Sequence, residues 1–505
     1  MIYSGSTTAK TGQIIPLYKS GRPAHSKYNP AADMVPVEDN FTGCLIVFGI
    51  GAAFHIKNLL QNNNLYKIIC AEADKESLDF CRKLSSVKEI EKDERIALCS
   101  FENFAQCLKE NYLPSFHKKL KTVFLRSWYN EIPDADNVAN EILSNALESI
   151  SADISVQVHF GKHWHANILS NLKFISDNRF LNNDISVPEG KTKAAVIAAG
   201  PTLDNSIGKL KEQRESVFII STDTAYGTLL SYNIIPDAVI SVDAQQVSSE
   251  HFLGTEKSDT VFIFDISSNP ETVQMVFNKG SRLFFIRSHH PLSALIKEEI
   301  NIPFVESGAG TVTIAAADFA RQLGFTQIEF FGADFAYSDG KPYCRGTYLE
   351  KKFSSISKRT VPSENLYTAL MFRTELKKIS AGILGKAGKS PVTSKVLAAY
   401  GKSLISWAEN NSFVQDGNVF TCKNAYTKVK VNPECFDFKS FIKNYTDKVK
   451  ALSDKIDSFT PARLGKEIEK SLELISLLPL MASFRKDTII EDICLALQFL
   501  LYYNL

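Results

Sequence analysis

The residues of this chain that could bind an anion or move a proton gather behind short apolar runs in its middle third. Gly200-Pro201-Thr202 follows Ala194 to Ala198, Thr222-Asp223-Thr224 follows Val217 to Ser221, and Asp243-Ala244-Gln245 follows Ala238 to Val242. Ser288-His289-His290 follows Leu283 to Arg287, and Gly332-Ala333-Asp334 follows Gln327 to Phe331. Ahead of the last run, Glu306-Ser307-Gly308-Ala309-Gly310-Thr311 is a small-residue turn feeding a helix predicted over Thr313 to Leu323. Such a turn brings several N–H donors and the positive helix end onto one phosphate or carboxylate. A histidine at a strand end titrates near neutrality, so His289 and His290 are candidate general bases, with Asp243 and Asp334 as competitors and a plain His-His-Pro strand stop as the alternative. Any one of these polar ends fits ordinary helix capping. Their recurrence at successive strand ends points to a ligand site.

The elements that must position them are short strands alternating with helices. This pattern builds a mostly parallel sheet covered on both faces, with ligands at the carboxyl ends of the strands. The first part of the chain has the same logic. Cys44 to Phe48 is apolar, Gly49-Ile50-Gly51 is a glycine turn, Ala52 to Leu60 is a predicted helix, and Lys67 to Ala71 is a strand followed by Glu72. The turn suits a ligand phosphate and the acid suits ribose hydroxyls, but Phe54 stands where a third glycine belongs, so a Rossmann-like scaffold without nucleotide is expected. His159, His163 and His165 flank Trp164. No Cys, Asp or Glu in that window completes a metal set, and helix-surface histidines are expected. Asp134-Ala135-Asp136 precedes a helix and reads as a cap.

Beyond Glu350 the chain is mainly helical. Thr460-Pro461 opens a helix whose Leu464, Ile468, Leu472 and Ile475 repeat along one face up to Pro479. The last helix, Asp487 to Tyr502, is apolar and must be buried. Ser412 to Val431 alternates like a hairpin around Asp416-Gly417. Arg345, Lys351, Lys352, Lys358 and Arg359 make Cys344 to Pro362 a cationic lid or a solvated linker.

At 505 residues the chain should hold about three folded units. The expected fold class is α/β: a Rossmann-like N-terminal domain over 1–185, a central doubly wound domain with a mostly parallel sheet over 186–350, and a helical C-terminal domain over 351–505. The 57 Lys and Arg against 56 Asp and Glu leave no global field to draw nucleic acid or anionic lipid. Nine scattered cysteines without a C-x-x-C pair read as thiols in a reducing compartment. With neither a leader-like start nor an 18-residue apolar run, a cytoplasmic location without membrane insertion is expected.

Ala198 to Leu203 (AAGPTL) resembles the G-x-G-P-S-L loop of bacterial sialyltransferases that use a CMP-activated sugar, and Ser307 to Gly346 resembles their S-G-x-x-x…G-x-D-F…Y block. The fuller resemblance is to the motility-associated factor (Maf) flagellin glycosyltransferases. It takes in Gly21 to Asp33 (GRPAHSKYNPAAD), the Gly49-Ile50-Gly51 unit and Phe160 to Leu172 (FGKHWHANILSNL). The central domain also resembles archaeal pterin diphosphokinase-like proteins.

The Maf resemblance implies a sialyltransferase-like central domain that transfers a nonulosonic acid, such as pseudaminic or legionaminic acid, from its CMP form to Ser or Thr of flagellin. No cofactor and no metal are implied, since CMP leaves as a monophosphate monoester that N–H groups and hydroxyls can stabilise. The implied donor-binding residues are Gly200, Pro201, Thr202, Asp223, Thr224, Asp243, Ser307, Gly308, Thr311, Gly332, Tyr337 and Tyr343. Asp334 is implied to hold a donor hydroxyl, and Tyr343 matches the tyrosine supporting the leaving phosphate. Two positions depart from the pattern: Ala198 replaces a glycine, and Asp223 an asparagine. The sialyltransferase histidine beyond the tyrosine loop has no counterpart, because no histidine follows His290. The competing functions are an ATP- and magnesium-dependent kinase-like enzyme and a non-catalytic flagellin-binding scaffold.

Overall fold

The computed structural model describes the whole chain except residues 179–184, 254–258, 309, 386–387, 426–435 and 505. The chain forms two compact units, Met1–Lys162 with Lys439–Leu505, and His163–Phe438. This differs from the expected three domains. The residues beyond 350 are divided between the two units, a hairpin completing the second unit's sheet and later helices covering the first unit's.

In the first unit β1 (Tyr3–Thr8) and β2 (Ile14–Tyr18) pair as an antiparallel hairpin. β3 (Gly43–Phe48), β4 (Leu65–Glu72), β5 (Ile96–Ser100) and β6 (Leu120–Phe124) form a parallel sheet in the order β5-β4-β3-β6. Every residue of β3 and β4 is buried, as a sheet covered on both faces requires. The helix Pro461–Lys470 lies on β4, where a Cβ on Gly465 would already be 3.5 Å from the Tyr66 ring. Leu464 and Ile468 are buried as their spacing predicts, but the expected continuous helix breaks at Ser471. That hydroxyl accepts the Leu474 N–H and starts a new helix, leaving Leu472 exposed. The final helix, Ile489–Tyr503, buries Ile489, Ile493, Ala496 and Leu500. Among the described residues no helix is long and apolar enough to cross a membrane.

The second unit is built on β7 (Lys193–Ile197), β8 (Val217–Thr222), β9 (Ala238–Ser241), β10 (Val261–Asp265), β11 (Arg282–Ile286) and β12 (Gln327–Phe331). A small ribbon pairs β13 (Leu376–Lys378) with β14 (Val392–Ser394), and a hairpin pairs β15 (Val414–Asp416) with β16 (Val419–Thr421). The hairpin is the expected one around Asp416-Gly417, although the end of its predicted range lies outside the described residues. The large sheet runs β11-β10-β9-β8-β7-β12-β16-β15, with the first six strands parallel. The chain steps outward from β7 to β11 and then returns past β7 to β12. The reversal lies between β7 and β12, the place where such folds open a ligand crevice. The helix Val312–Gln322 packs on β7, β8 and β9 through Ala315, Ala316, Ala317 and Ala320, whose small side chains allow a close approach.

Candidate functional site

At the reversal the Gly200 loop and the end of β12 are locked together. The Gly200 N–H donates to the Gly332 carbonyl at 2.7 Å, and a Cβ on Gly200 would lie 2.7 Å from the Asp334 carboxylate. Gly332 takes a φ of +63°, with Ala198 and Leu203 against its Cα. Both Asp334 oxygens accept from Thr202, one from the N–H at 2.8 Å and one from the hydroxyl. Burial raises the Asp334 carboxyl and the two Thr202 bonds oppose it. Asp334 is thus the clasp of this loop. A cavity of about 210 Å³ beside it is lined by Thr202, Ser206, Gly332, Asp334 and Asn418.

The next two strand ends carry carboxylates. Asp223 is buried, accepting from the Thr224 N–H at 2.6 Å and from the Ser241 hydroxyl at 2.6 Å. Asp243 accepts the Gln245 N–H at 2.9 Å, and burial followed by the charge of Asp223 pushes its carboxyl up. Two phenols, Tyr343 and Tyr348, lie within electrostatic reach of Asp223, and Tyr337 within reach of Tyr343. Burial first, with the Asp223 carboxylate and the neighbouring phenols Tyr337 and Tyr348 opposing a second negative charge, pushes Tyr343 up to about 12. Burial also raises Tyr337, and raises Tyr348 together with the charges of Glu250, Asp243 and Asp223. His251 meets the Tyr348 ring edge-on at 4.5 Å.

The Tyr343 segment is fixed from three sides. The Cys344 N–H donates to the Ala199 carbonyl at 2.9 Å, the Arg345 N–H to Asp204 at 3.1 Å, and the Thr228 hydroxyl to the Arg345 carbonyl at 2.6 Å. Two buried polar atoms here, Thr222 Oγ1 and His251 Nδ1, lack a partner among the described residues. Buried polar groups are normally satisfied, so these atoms mark where a ligand or water can bind. Sequence reasoning missed Tyr348, His251 and Tyr400, the last a further phenol within electrostatic reach of Tyr343. The recurrence of tyrosine at 337, 343 and 348 was the one available signal.

The remaining expected residues lie toward β11, three strand spacings or about 14 Å from β8. His290 is engaged by the fold through one ring nitrogen. Its Nδ1 accepts the Leu292 N–H at 3.1 Å, capping the helix Pro291–Lys297, and burial drives the ring down to about 3. His289 is exposed and bonds Glu306 at 2.6 Å, while the other Glu306 oxygen accepts the Gly308 N–H at 2.7 Å. The Ser307 carbonyl accepts from Gly310 and Thr311 N–H, and Thr311 Oγ1 caps the helix Val312–Gln322. Ala309 of this turn lies outside the described residues. Of the three grouped histidines, His165 is buried while His159 and His163 are exposed on the helix Ala135–Asp177. Among the described residues no three His, Cys, Asp or Glu side chains converge as metal ligands.

In the first unit the glycine turn is already filled. Glu72 accepts from the Ile50 N–H at 3.1 Å, Tyr3 at 2.9 Å and the Trp128 indole at 2.7 Å. His25 accepts the Ala52 N–H at 2.8 Å and is held by Asp33 at 2.9 Å. A Cβ on Gly49 or Gly51 would run into Trp128 or His25. The donors and the acid that could have met a nucleotide serve the fold instead.

The second unit's site lies within the stretch, residues 166–340, matched by the family described as MptE-like, 6-hydroxymethylpterin diphosphokinase MptE-like. Three uncharacterized proteins of Treponema pallidum (strain Nichols) are also similar. The first is 41% identical over 124 residues, 25% of this chain and 44% of that protein. The second is 33% identical over 147 residues, 29% of this chain and 67% of that protein, and the third 28% identical over 196 residues, 38% of this chain and 33% of that protein. The chain belongs to one family with the second of these. Among solved structures, a MAf glycosyltransferase from Magnetospirillum magneticum AMB-1 aligns at a TM-score of 0.49 and 12% identity, over 99% of this chain and 86% of that one. The MptE-like stretch contains every strand from β7 to β12, so Gly200, Asp223, Asp243 and Asp334 lie inside the match. Tyr343 and Tyr348 stand just beyond it.

Proposed function

We propose that the second unit is a glycosyltransferase of the Maf type, moving a nonulosonic acid from its CMP donor to Ser or Thr of flagellin in the cytoplasm. The observation that carries this reading is the buried Tyr343 phenol, held protonated within reach of the Asp223 carboxylate, next to strand ends where the buried Thr222 Oγ1 lacks a partner among the described residues. In the reaction the acceptor oxygen bonds to the anomeric carbon as the bond from that carbon to the CMP phosphate oxygen breaks. CMP departs with the electron pair, and the acceptor proton passes to a carboxylate.

A protonated phenol suits the departing phosphate oxygen, and one pushed up to about 12 keeps its proton at any physiological pH. Asp243 is the better base than His289 or His290, being at the same strand ends with an affinity for protons raised by burial. The Gly200 loop and Thr224 lie beside these groups and are assigned to the donor. Leaving-group stabilisation by hydroxyls and N–H groups requires no metal.

A second reading rests on the family match and on the same two carboxylates. Asp223 and Asp243 suit a magnesium ion bridging ATP phosphates, as diphosphate transfer to a pterin would need. Calorimetric titration of the whole chain with CMP and with ATP, each with and without magnesium, separates the two. Metal-independent CMP binding, weakened by Tyr343→Phe, supports the transferase. Binding of magnesium-ATP alone overturns it in favour of the kinase-like enzyme, and silence toward both favours a non-catalytic flagellin-binding scaffold.

A further inference from the structure

The second unit has another cavity, of about 750 Å³, on the β11 side of its sheet. Its walls come from the helix Val312–Gln322, the helix Lys395–Asn410 and the segment 301–304, and it shares none of Asp223, Asp243 or Tyr343. The negative groups in its wall are neutralised from within the fold. Asp318 accepts from Arg321 at 2.9 Å, the Trp407 indole at 3.1 Å, Gln322 at 2.7 Å and the Glu306 N–H at 3.0 Å. Glu306 is held by His289 and the Gly308 N–H.

The positive groups are not all matched. Among the described residues neither Arg287 nor Lys402 joins an ion pair, while both line the cavity. Arg287 is preset, its Nε donating to the Ile302 carbonyl at 2.9 Å and its guanidinium lying 5.4 Å over the Phe304 ring. Ser403, Ser406 and Asn410 add hydroxyl and amide groups on one face of the helix Lys395–Asn410.

No aromatic face is open for stacking. Trp407 is buried with its N–H committed to Asp318, and Phe304 is covered by Arg287 and met edge-on by His289 at 4.8 Å. A nucleobase therefore has no platform there. Cations beside hydroxyls and amides instead match a ligand carrying one negative group and several hydroxyls.

We propose that this cavity binds an anionic sugar, with its carboxylate or phosphate at Arg287 and Lys402 and its hydroxyls at Ser403, Ser406 and Asn410. Of the residues that the sialyltransferase resemblance implies for the donor, Gly308 alone lines this cavity; none of the groups assigned to the transfer step, Tyr343, Asp223, Asp243, Thr224 or the Gly200 loop, takes part.

The test titrates the whole chain with N-acetylneuraminate, glucose 6-phosphate, glucose and inorganic phosphate, read by calorimetry. Saturable millimolar or tighter binding of one of the two anionic sugars is expected, with glucose and inorganic phosphate at least about tenfold weaker. Lys402→Ala, an exposed change whose fold is checked by its melting curve, should weaken that binding about tenfold and leave the CMP titration unchanged. Tyr343→Phe should do the reverse.

Four outcomes overturn the proposal: no saturation by about 20 mM of either anionic sugar, glucose binding as tightly as they do, inorganic phosphate matching them, or binding that survives Lys402→Ala but not Tyr343→Phe. Sugar binding lost in Lys402→Ala with no CMP binding at all would sustain this cavity while sinking the transferase.

Discussion

Both carboxylate oxygens of Asp334 are occupied by Thr202, a residue 132 positions earlier in the chain. That pairing was invisible in the sequence, where the acid at a strand end reads as a donor ligand; only the return of the chain to β12 beside β7 brings the two together. Asp334→Ala is accordingly expected to cost about 2 kcal/mol of stability, because it strips two hydrogen bonds from a buried carboxylate and orphans the Thr202 N–H. Chemical denaturation measures this, and an unchanged midpoint with lost turnover would move Asp334 into the chemistry. Tyr343 makes the opposite case. Among the described residues its hydroxyl makes no hydrogen bond, so Tyr343→Phe should lower the turnover of the proposed transfer about 10²-fold, the scale of one lost donor to a developing anion, with the melting temperature nearly unchanged. For Asp243 the sign of the pH dependence comes from its raised carboxyl: it must lose a proton to act, so the acid limb of the rate profile should lie above the ordinary aspartate value of 3.8. Replacement by Asn should remove that limb with most of the rate, and a limb unmoved in the variant would assign it to another group.

At the scale of elements, β3, β4 and the parallel strands of the second unit were legible to within two residues, because strands covered on both faces must be continuously apolar, whereas the outer strands β5 and β6, only partly buried, were not singled out. The pattern is silent on how strand ends are finished. The glycine turn after β3 has the expected loop, yet its N–H groups are met by Glu72 and His25, supplied from the next strand and from a segment whose sequence has no periodicity. The end of β11 has the expected histidines, yet His290 serves as a helix cap. Its burial also predicts how the protein responds to acid. With His290 driven down to about 3 in the folded state and near 6.5 when unfolded, the unfolded chain binds a proton that the folded chain refuses. The contribution is full above 6.5 and is lost as pH falls toward 3. At pH 5 the loss is about 2 kcal/mol for this one group. His290→Asn keeps an acceptor at the cap, so its stability should fall less between pH 7 and pH 5 than that of the unaltered protein. Equal losses in urea denaturation at the two pH values would show that His290 is protonated in the fold.

Taken as a whole, the molecule is divided otherwise than its linear composition suggests. The helical tail looked like a domain because helical periodicity is local, whereas the surface a helix covers is set by tertiary packing that no single stretch reveals. The helix Pro461–Lys470 lies on β4, with its Ala462 N–H on the Asn63 carbonyl at 2.9 Å and Lys67, nearly buried on β4, paired with Glu469 at 3.2 Å. Residues 439–505 therefore complete the first unit. Removing them uncovers Tyr66 and leaves Lys67 without its carboxylate, and neighbouring apolar surface of this kind is not left open in a stable monomer. A fragment ending at Phe438 should lose the first unit's cooperative unfolding transition and bind a hydrophobic dye. Residues 163–438, which carry every group assigned to the proposed CMP site, should keep their own transition and titrate with CMP as the whole chain does. If residues 1–438 instead melt like the complete chain, the tail is an accessory and the expected three-domain division is restored. If 163–438 unfolds with the rest, the two units are one cooperative body, and substitutions at Glu72 or Gly49 should then weaken CMP binding through stability alone.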